Sequence, residues 1–130
     1  MTDLVLLYGV RWLLQEKCFP FTEYAVEYGH GNQSAFDLIA EANGERLIGE
    51  AFNVAPSFFA TKKAAMLKKL RTKGQGATHT LILCNADAVR GQYMPAAESA
   101  EYHLLVDVGT GRGRMEPSRR PSWADSALPA

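Results

Sequence analysis

Phe36-Asp37-Leu38-Ile39-Ala40-Glu41-Ala42-Asn43-Gly44-Glu45-Arg46-Leu47-Ile48-Gly49-Glu50-Ala51-Phe52 is the stretch on which the fold turns. Asn-Gly between two apolar runs is the strongest short hairpin signal, because both residues accept the positive φ of a tight two-residue turn. The runs on either side predict strands from Ala35 to Ala42 and from Glu45 or Arg46 to Val54, paired antiparallel. Each strand carries one carboxylate among apolar neighbours, Asp37 in the first and Glu50 in the second. A charge in such surroundings is expensive unless something neutralises it. Pairing around the turn brings Asp37 and Glu50 near each other, on one face if the parity is right. Two close carboxylates repel unless a divalent cation sits between them. Mg²⁺ (or Mn²⁺) suits the place, since it takes hard oxygen ligands and keeps waters for chemistry. Taken singly, each carboxylate also fits a solvent-facing position on an edge strand.

Working outward, Thr2 and Asp3 open a predicted helix that runs to about Lys17. Its face of Leu6, Val10, Leu13 and Leu14 is flanked by Leu7 and Trp12. Tyr8, Arg11 and Gln15 leave only a narrow polar stripe. Such a helix is expected to be covered by its own sheet and by a second copy of the chain, which predicts a homodimer. Glu23 to Tyr28 alternates like a strand, and residues 29–34 read as a loop. Pro56-Ser57 opens a second helix, with Ser57 as cap, from Phe58 to about Lys73 and closed by Gly74. Strands follow at Thr78–Cys84 and Glu101–Val108, with a helical turn between them at Ala86–Arg90. The Gly-, Pro-, Ser- and Arg-rich residues from Gly109 onward read as a tail. The expected organisation is therefore one α/β domain over residues 1–108, a mixed sheet with helices on both sides, and a tail over 109–130.

The run Gly31-Asn32-Gln33-Ser34-Ala35-Phe36-Asp37-Leu38-Ile39, a hairpin, and then Leu47-Ile48-Gly49-Glu50-Ala51-Phe52 resembles the PD-(D/E)XK nuclease motif. In that superfamily an Asp on one strand precedes a Glu-x-Lys on the next, within an α-β-β-β-α-β core of restriction-endonuclease-like kind. The resemblance covers about half the chain, and the flanking helix and strand keep the family's order. It implies that Asp37 and Glu50 are metal ligands, that the Ala51 carbonyl completes the site, and that the substrate is DNA. One position departs from the pattern, because Phe52 stands where the family keeps its catalytic Lys. In some members that Lys sits on the following helix. Here Lys63 interrupts the sheet-facing stripe of Phe59, Met66, Leu67 and Leu70, while Lys62 is less well directed. Lys63 then orients the attacking water and offsets charge on the phosphate. The alternatives are a snorkelling Lys63 at the helix border and a catalytically inactive module on the same fold that binds nucleic acid or protein.

Composition bounds these readings. The chain has 130 residues, 47% of them apolar, and its 14 basic and 14 acidic residues cancel, so no global positive field announces a nucleic acid. Lys62, Lys63, Lys68, Lys69, Arg71 and Lys73 nevertheless concentrate positive charge on one helix, where a phosphate backbone could meet it. Cys18 and Cys84 form no CxxC pair and suggest free thiols in a reduced, cytoplasmic setting. Leu4–Leu14 lacks the basic start and cleavage site of a signal peptide and is too short to span a bilayer, so no membrane partner is expected. His30, His79 and His103 have no zinc-ligand spacing, and His30, in the loop before Asp37, reads either as an ordinary loop histidine or as a substrate contact. Neither Gly29-His30-Gly31 nor Gly109-Thr110-Gly111-Arg112-Gly113 has the strand-then-helix setting of a phosphate loop.

Overall fold

The Asn43-Gly44 turn forms as its chemistry requires, with φ of 54° at Asn43 and 80° at Gly44. The structure, a computed structural model, describes residues 2–27, 36–89 and 100–117. The turn joins β2 (Leu38–Ala42) to β3 (Glu45–Phe52) in an antiparallel hairpin whose register runs from Ala42↔Glu45 to Leu38↔Gly49. Around it lie α1 (Thr2–Glu16), β1 (Ala25–Val26), α2 (Phe59–Lys73), β4 (His79–Asn85), β5 (Glu101–Val106) and β6 (Gly113–Glu116). The six strands lie in chain order, β1-β2-β3-β4-β5-β6, as one open mixed sheet. β3, β4 and β5 run parallel at its centre, and the remaining neighbours pair antiparallel. The protein is an α/β fold, with α1 on one face of the sheet and α2 on the other.

Alternation along the strands supplies a core to each face. Leu47, Ala51, Leu81, Leu83, Leu104 and Val106 point toward α1 and meet Val5, Leu6 and Leu13. Ile48, Phe52, Ile82, Cys84 and Leu105 point the other way and meet Leu67 and Leu70 of α2. The central strands are buried on both faces, as parallel strands are. Asn85, buried at the end of β4, pins the chain leaving β3: its Oδ1 accepts from Val54 N–H at 2.9 Å and its Nδ2 donates to Val54 C=O at 2.8 Å. That clamp sets where α2 begins.

Several boundaries differ from the sequence reading. Ser57 is not a helix cap, since no side-chain capping bond forms there. Pro56 instead starts a 3₁₀ turn at Pro56–Phe58 that leads straight into α2. The first helix stops at Glu16 because Lys17 takes a left-handed φ of 54°. The domain does not end at residue 108. Gly113–Glu116 forms β6 against β5, and Met115 is buried in the α1-side core. The glycine-rich composition of this segment reflects a tight approach to α1 rather than a loose tail. Glycine at 113 leaves room for the Trp12 ring, and the Arg11 guanidinium, over the Tyr8 ring, reaches the Gly111 carbonyl at 3.3 Å. Tyr8 and Trp12 of α1, the helix expected to meet a second copy of the chain, thus pack against the chain's own C-terminal segment. Leu7 and Leu14 remain exposed on the helix. Among the described residues no helix is long and apolar enough to cross a membrane.

A Cβ on Gly113 would come within 2.7 Å of the Trp12 ring, which is rigid and cannot give way as a flexible side chain would. Gly113→Ala should therefore cost about 1–3 kcal/mol in denaturant unfolding, the usual scale of overpacking. It should also shift Trp12 fluorescence to the red as the ring is pushed outward. An unchanged midpoint and emission would show that the hairpin does not bear on α1.

Candidate active site

The hairpin register determines how Asp37 and Glu50 meet. Ala42 and Glu45 flank the two-residue turn and so exchange backbone hydrogen bonds, and every second pair along the ladder does the same. Leu38↔Gly49 is such a pair. The next position, Asp37 opposite Glu50, is therefore a non-hydrogen-bonded pair, the kind in which facing side chains lie closest. Parity puts both on the α2 face, in line with Ile39 and with Ile48 and Phe52.

At this point the chain bends away and β2 ends, so the carboxylates take over the bonding of the ladder. Asp37 N–H donates to Glu50 Oε2 at 3.1 Å, and Ala51 N–H donates to Asp37 Oδ2 at 3.0 Å. Asp37 C=O accepts from Glu27 N–H at 2.9 Å, which ties the site to the segment after β1. Because Ala51 N–H points to the β2 side, its carbonyl points there too, toward the gap beside Asp37.

Glu50 is 1% exposed and Asp37 is half-buried. Glu50 Oε1 is met by the ammonium of Lys69 from α2. The Lys69 side chain is 32% exposed, with its Nζ 5.9 Å from the Phe36 ring centroid. Burial, and after it the neighbouring Asp37 carboxyl, push Glu50 above the usual carboxylate range, while Lys69 pulls it back down. The second buried carboxylate on this face, Glu101, receives a two-pronged pair from Arg71, Nε at 2.6 Å and Nη2 at 2.7 Å.

Lys63, the lysine the sequence singled out, lies elsewhere. Its charge acts on Cys84 and His103, in β4 and β5, rather than on Glu50. Burial pushes the Cys84 thiol up to about 12, with Lys63 opposing. Burial and then Lys63 push His103 down to about 4, against Glu101, so His103 is neutral at pH 7. The helical stripe did place Lys63 toward the sheet. It did not say which strand would lie beneath. Long side chains lean toward their helix N-terminus, so each head reaches the turn before its own Cα. That lean carries Lys63 to the level of Cys84, whose β3 partner is Phe52. The same lean carries Lys69 back to the level of Glu50.

The donor set admits a hard cation. Two carboxylates and one backbone carbonyl directed to the same side are oxygen donors of the kind Mg²⁺ and Mn²⁺ accept alongside water. Among the described residues no group of three or more His, Cys, Asp and Glu side chains is gathered, so the set is limited to this pair. His79 is engaged by Glu45 at 2.9 Å, and His30 lies outside the described residues.

Because the folded state raises the Glu50 pKa, ionised Glu50 costs stability at neutral pH; the cost shrinks as pH falls through that raised value and is gone only below the ordinary carboxylate pKa of the unfolded chain. Glu50→Gln should accordingly raise Tm at pH 7 by about 2–5 °C. The gain should shrink toward zero near pH 4, where wild-type Glu50 is protonated as well. A variant less stable than wild type at pH 7 would show that the Lys69 pair outweighs the desolvation.

Comparison of the sequence with family models gives no match, and searches of curated proteins and of solved structures likewise give none. The functional reading of the acid pair therefore rests on its own geometry and charge.

Proposed function

We propose that the Asp37–Glu50 pair is a divalent-metal site for hydrolysis of DNA phosphodiester bonds, in the manner of the PD-(D/E)XK nucleases that the sequence resembles. The observation that carries this reading is the juxtaposition of two carboxylates at a close strand pair with a lysine ammonium against them. Asp37, Glu50 and the Ala51 carbonyl are the ligands. A bound Mg²⁺ or Mn²⁺ supplies Lewis-acid chemistry, lowering the pKa of water and drawing charge from a phosphate oxygen. Lys69 takes the part the sequence assigned to Lys63 and offsets charge building on the phosphate in the transition state. The Asp37 backbone N–H and the Ala51 N–H hold the two carboxylates in place without further protein motion. α2 supports a polyanionic substrate: it carries Lys62, Lys63, Lys68, Lys69, Arg71 and Lys73 and no acidic residue.

A second reading is favoured by one observation: Phe52 occupies the motif's lysine position, and Lys69 already neutralises Glu50. On that reading the fold binds nucleic acid without cutting it.

Incubation of the protein with supercoiled and linear DNA in Mg²⁺ or Mn²⁺ distinguishes the two. Cleavage is expected, with Asp37→Asn and Glu50→Gln each abolishing it. Lys69→Ala should lower the rate by roughly a hundredfold or more, the scale of losing one transition-state contact. Lys63→Ala should have a much smaller effect. Full activity in Lys69→Ala with loss in Lys63→Ala would return the role to Lys63. Binding without cleavage under every metal condition would establish the second reading, and neither binding nor cleavage would leave the pair a structural feature.

A further inference from the structure

The two ion pairs that α2 makes with the sheet differ in kind. Arg71 grips Glu101 through two parallel bonds from a planar fork, a geometry that fixes orientation. Lys69 meets Glu50 as a single point charge on a flexible stem, and that stem is partly open to solvent. Arg71 can therefore hold the helix on the sheet while the head of Lys69 moves. The charges are also unequal. With Asp37 and Glu50 ionised, one ammonium leaves the site with a surplus negative charge. One divalent cation would balance the pair and leave Lys69 in excess.

We infer that the Lys69 ammonium and a divalent cation occupy Glu50 alternately, so that Lys69 is the resident counter-ion of the metal-free protein. This rests on the metal-site reading above and extends it. Of the two Glu50 oxygens, Oε2 accepts the Asp37 N–H, and Oε1 is the one that faces Lys69. Oε2 keeps one acceptor site beside the Asp37 amide, so a cation held by both carboxylates would lie a few ångströms from the ammonium on Oε1 whichever Glu50 oxygen it used. Two positive groups a few ångströms apart in a partly buried site repel, and the solvent-open side of Lys69 gives its ammonium a way out, so expulsion is favoured. The displaced ammonium swings outward past the Phe36 ring and becomes available to a phosphate. In this arrangement Lys69 closes the site when no metal is bound, and its release accompanies loading.

Calorimetric titration of Mn²⁺ into the full-length protein tests the exchange without any turnover. Lys69→Met keeps the apolar stem against Phe36 and removes the competing charge, so it should bind Mn²⁺ about tenfold more tightly than wild type. Asp37→Asn should lose the binding in both backgrounds, which assigns the heat to this site. Should Lys69→Met fail to fold, Lys69→Gln serves in its place. As a second readout, the Lys69 ε-methylene NMR signal of wild type should move toward its solvent-exposed position as diamagnetic Mg²⁺ is added. Equal or weaker Mn²⁺ binding in the Lys69 variants, with wild type binding normally, would overturn the exchange and leave the metal reading standing. No Mn²⁺ uptake by wild type or by either variant would overturn both.

Discussion

A carboxylate that water barely reaches sets the terms for the α2 side of this protein. Glu50 sits in the middle of the central hairpin strand, walled by Ile48 and Phe52 and roofed by α2. Removing an ion from water costs several kcal/mol even after the surroundings relax. That cost is offset piecemeal, by the Asp37 amide on one oxygen and the Lys69 ammonium on the other. Both partners must be held accurately. The Asn43-Gly44 turn holds the first through the hairpin register, and the Asn85–Val54 clamp helps hold the second by fixing where α2 starts. The Arg71–Glu101 pair then keeps the far end of α2 down. A well-packed apolar residue at position 50 would make a simpler core, so a buried acid beside a second one points to a use for the charge.

The basic character of α2 is understood in the same way. Like charges crowded on one helix destabilise it, and two of its cations meet buried carboxylates beneath them, Lys69 with Glu50 and Arg71 with Glu101. Lys62, Lys68 and Lys73 are exposed, in a protein whose overall charge is zero. On the proposed nuclease reading, this concentration of one sign beside the acidic pair eases the approach of a polyanion to carboxylates that would otherwise repel it.

Much of this was legible in the sequence, for identifiable reasons. The hairpin and the shared face of Asp37 and Glu50 follow from a local turn signal and a period of two, both insensitive to distant contacts. The apolar run at Leu81–Leu83 marked the central strand without ambiguity. The lysine partner was missed because it depends on how a helix docks across a sheet, a tertiary quantity that a helical wheel does not contain. Lys63 and Lys69 both lie on the inward half of α2, and only the level of the strand residues beneath them separates their fates. β6 was missed because Gly113 belongs to a glycine-rich run that looks like tail composition, and the Trp12 ring it makes room for lies about a hundred residues earlier in the chain. Ser57 was read as a cap from its residue type, although the preceding proline had already committed the chain to a tighter turn.

The two margins of the sheet carry a further consequence. An open sheet ends in strands whose outer backbone groups invite pairing with another chain, and proteins blunt such margins by shortness, charge and proline. Here β1 contributes only Ala25 and Val26 to one margin. β6 contributes Gly113–Glu116 to the other, with Arg114 and Glu116 paired to each other along it at 3.4 Å. Pro117 follows at once and offers no N–H. Between them lie β3, β4 and β5, whose buried runs Leu47–Ile48, Leu81–Cys84 and Leu104–Val106 are of the kind that aggregate when exposed. The short, charged margins shield this centre against growth by strand addition, and so allow a six-stranded sheet with a strongly apolar middle to stay a discrete object.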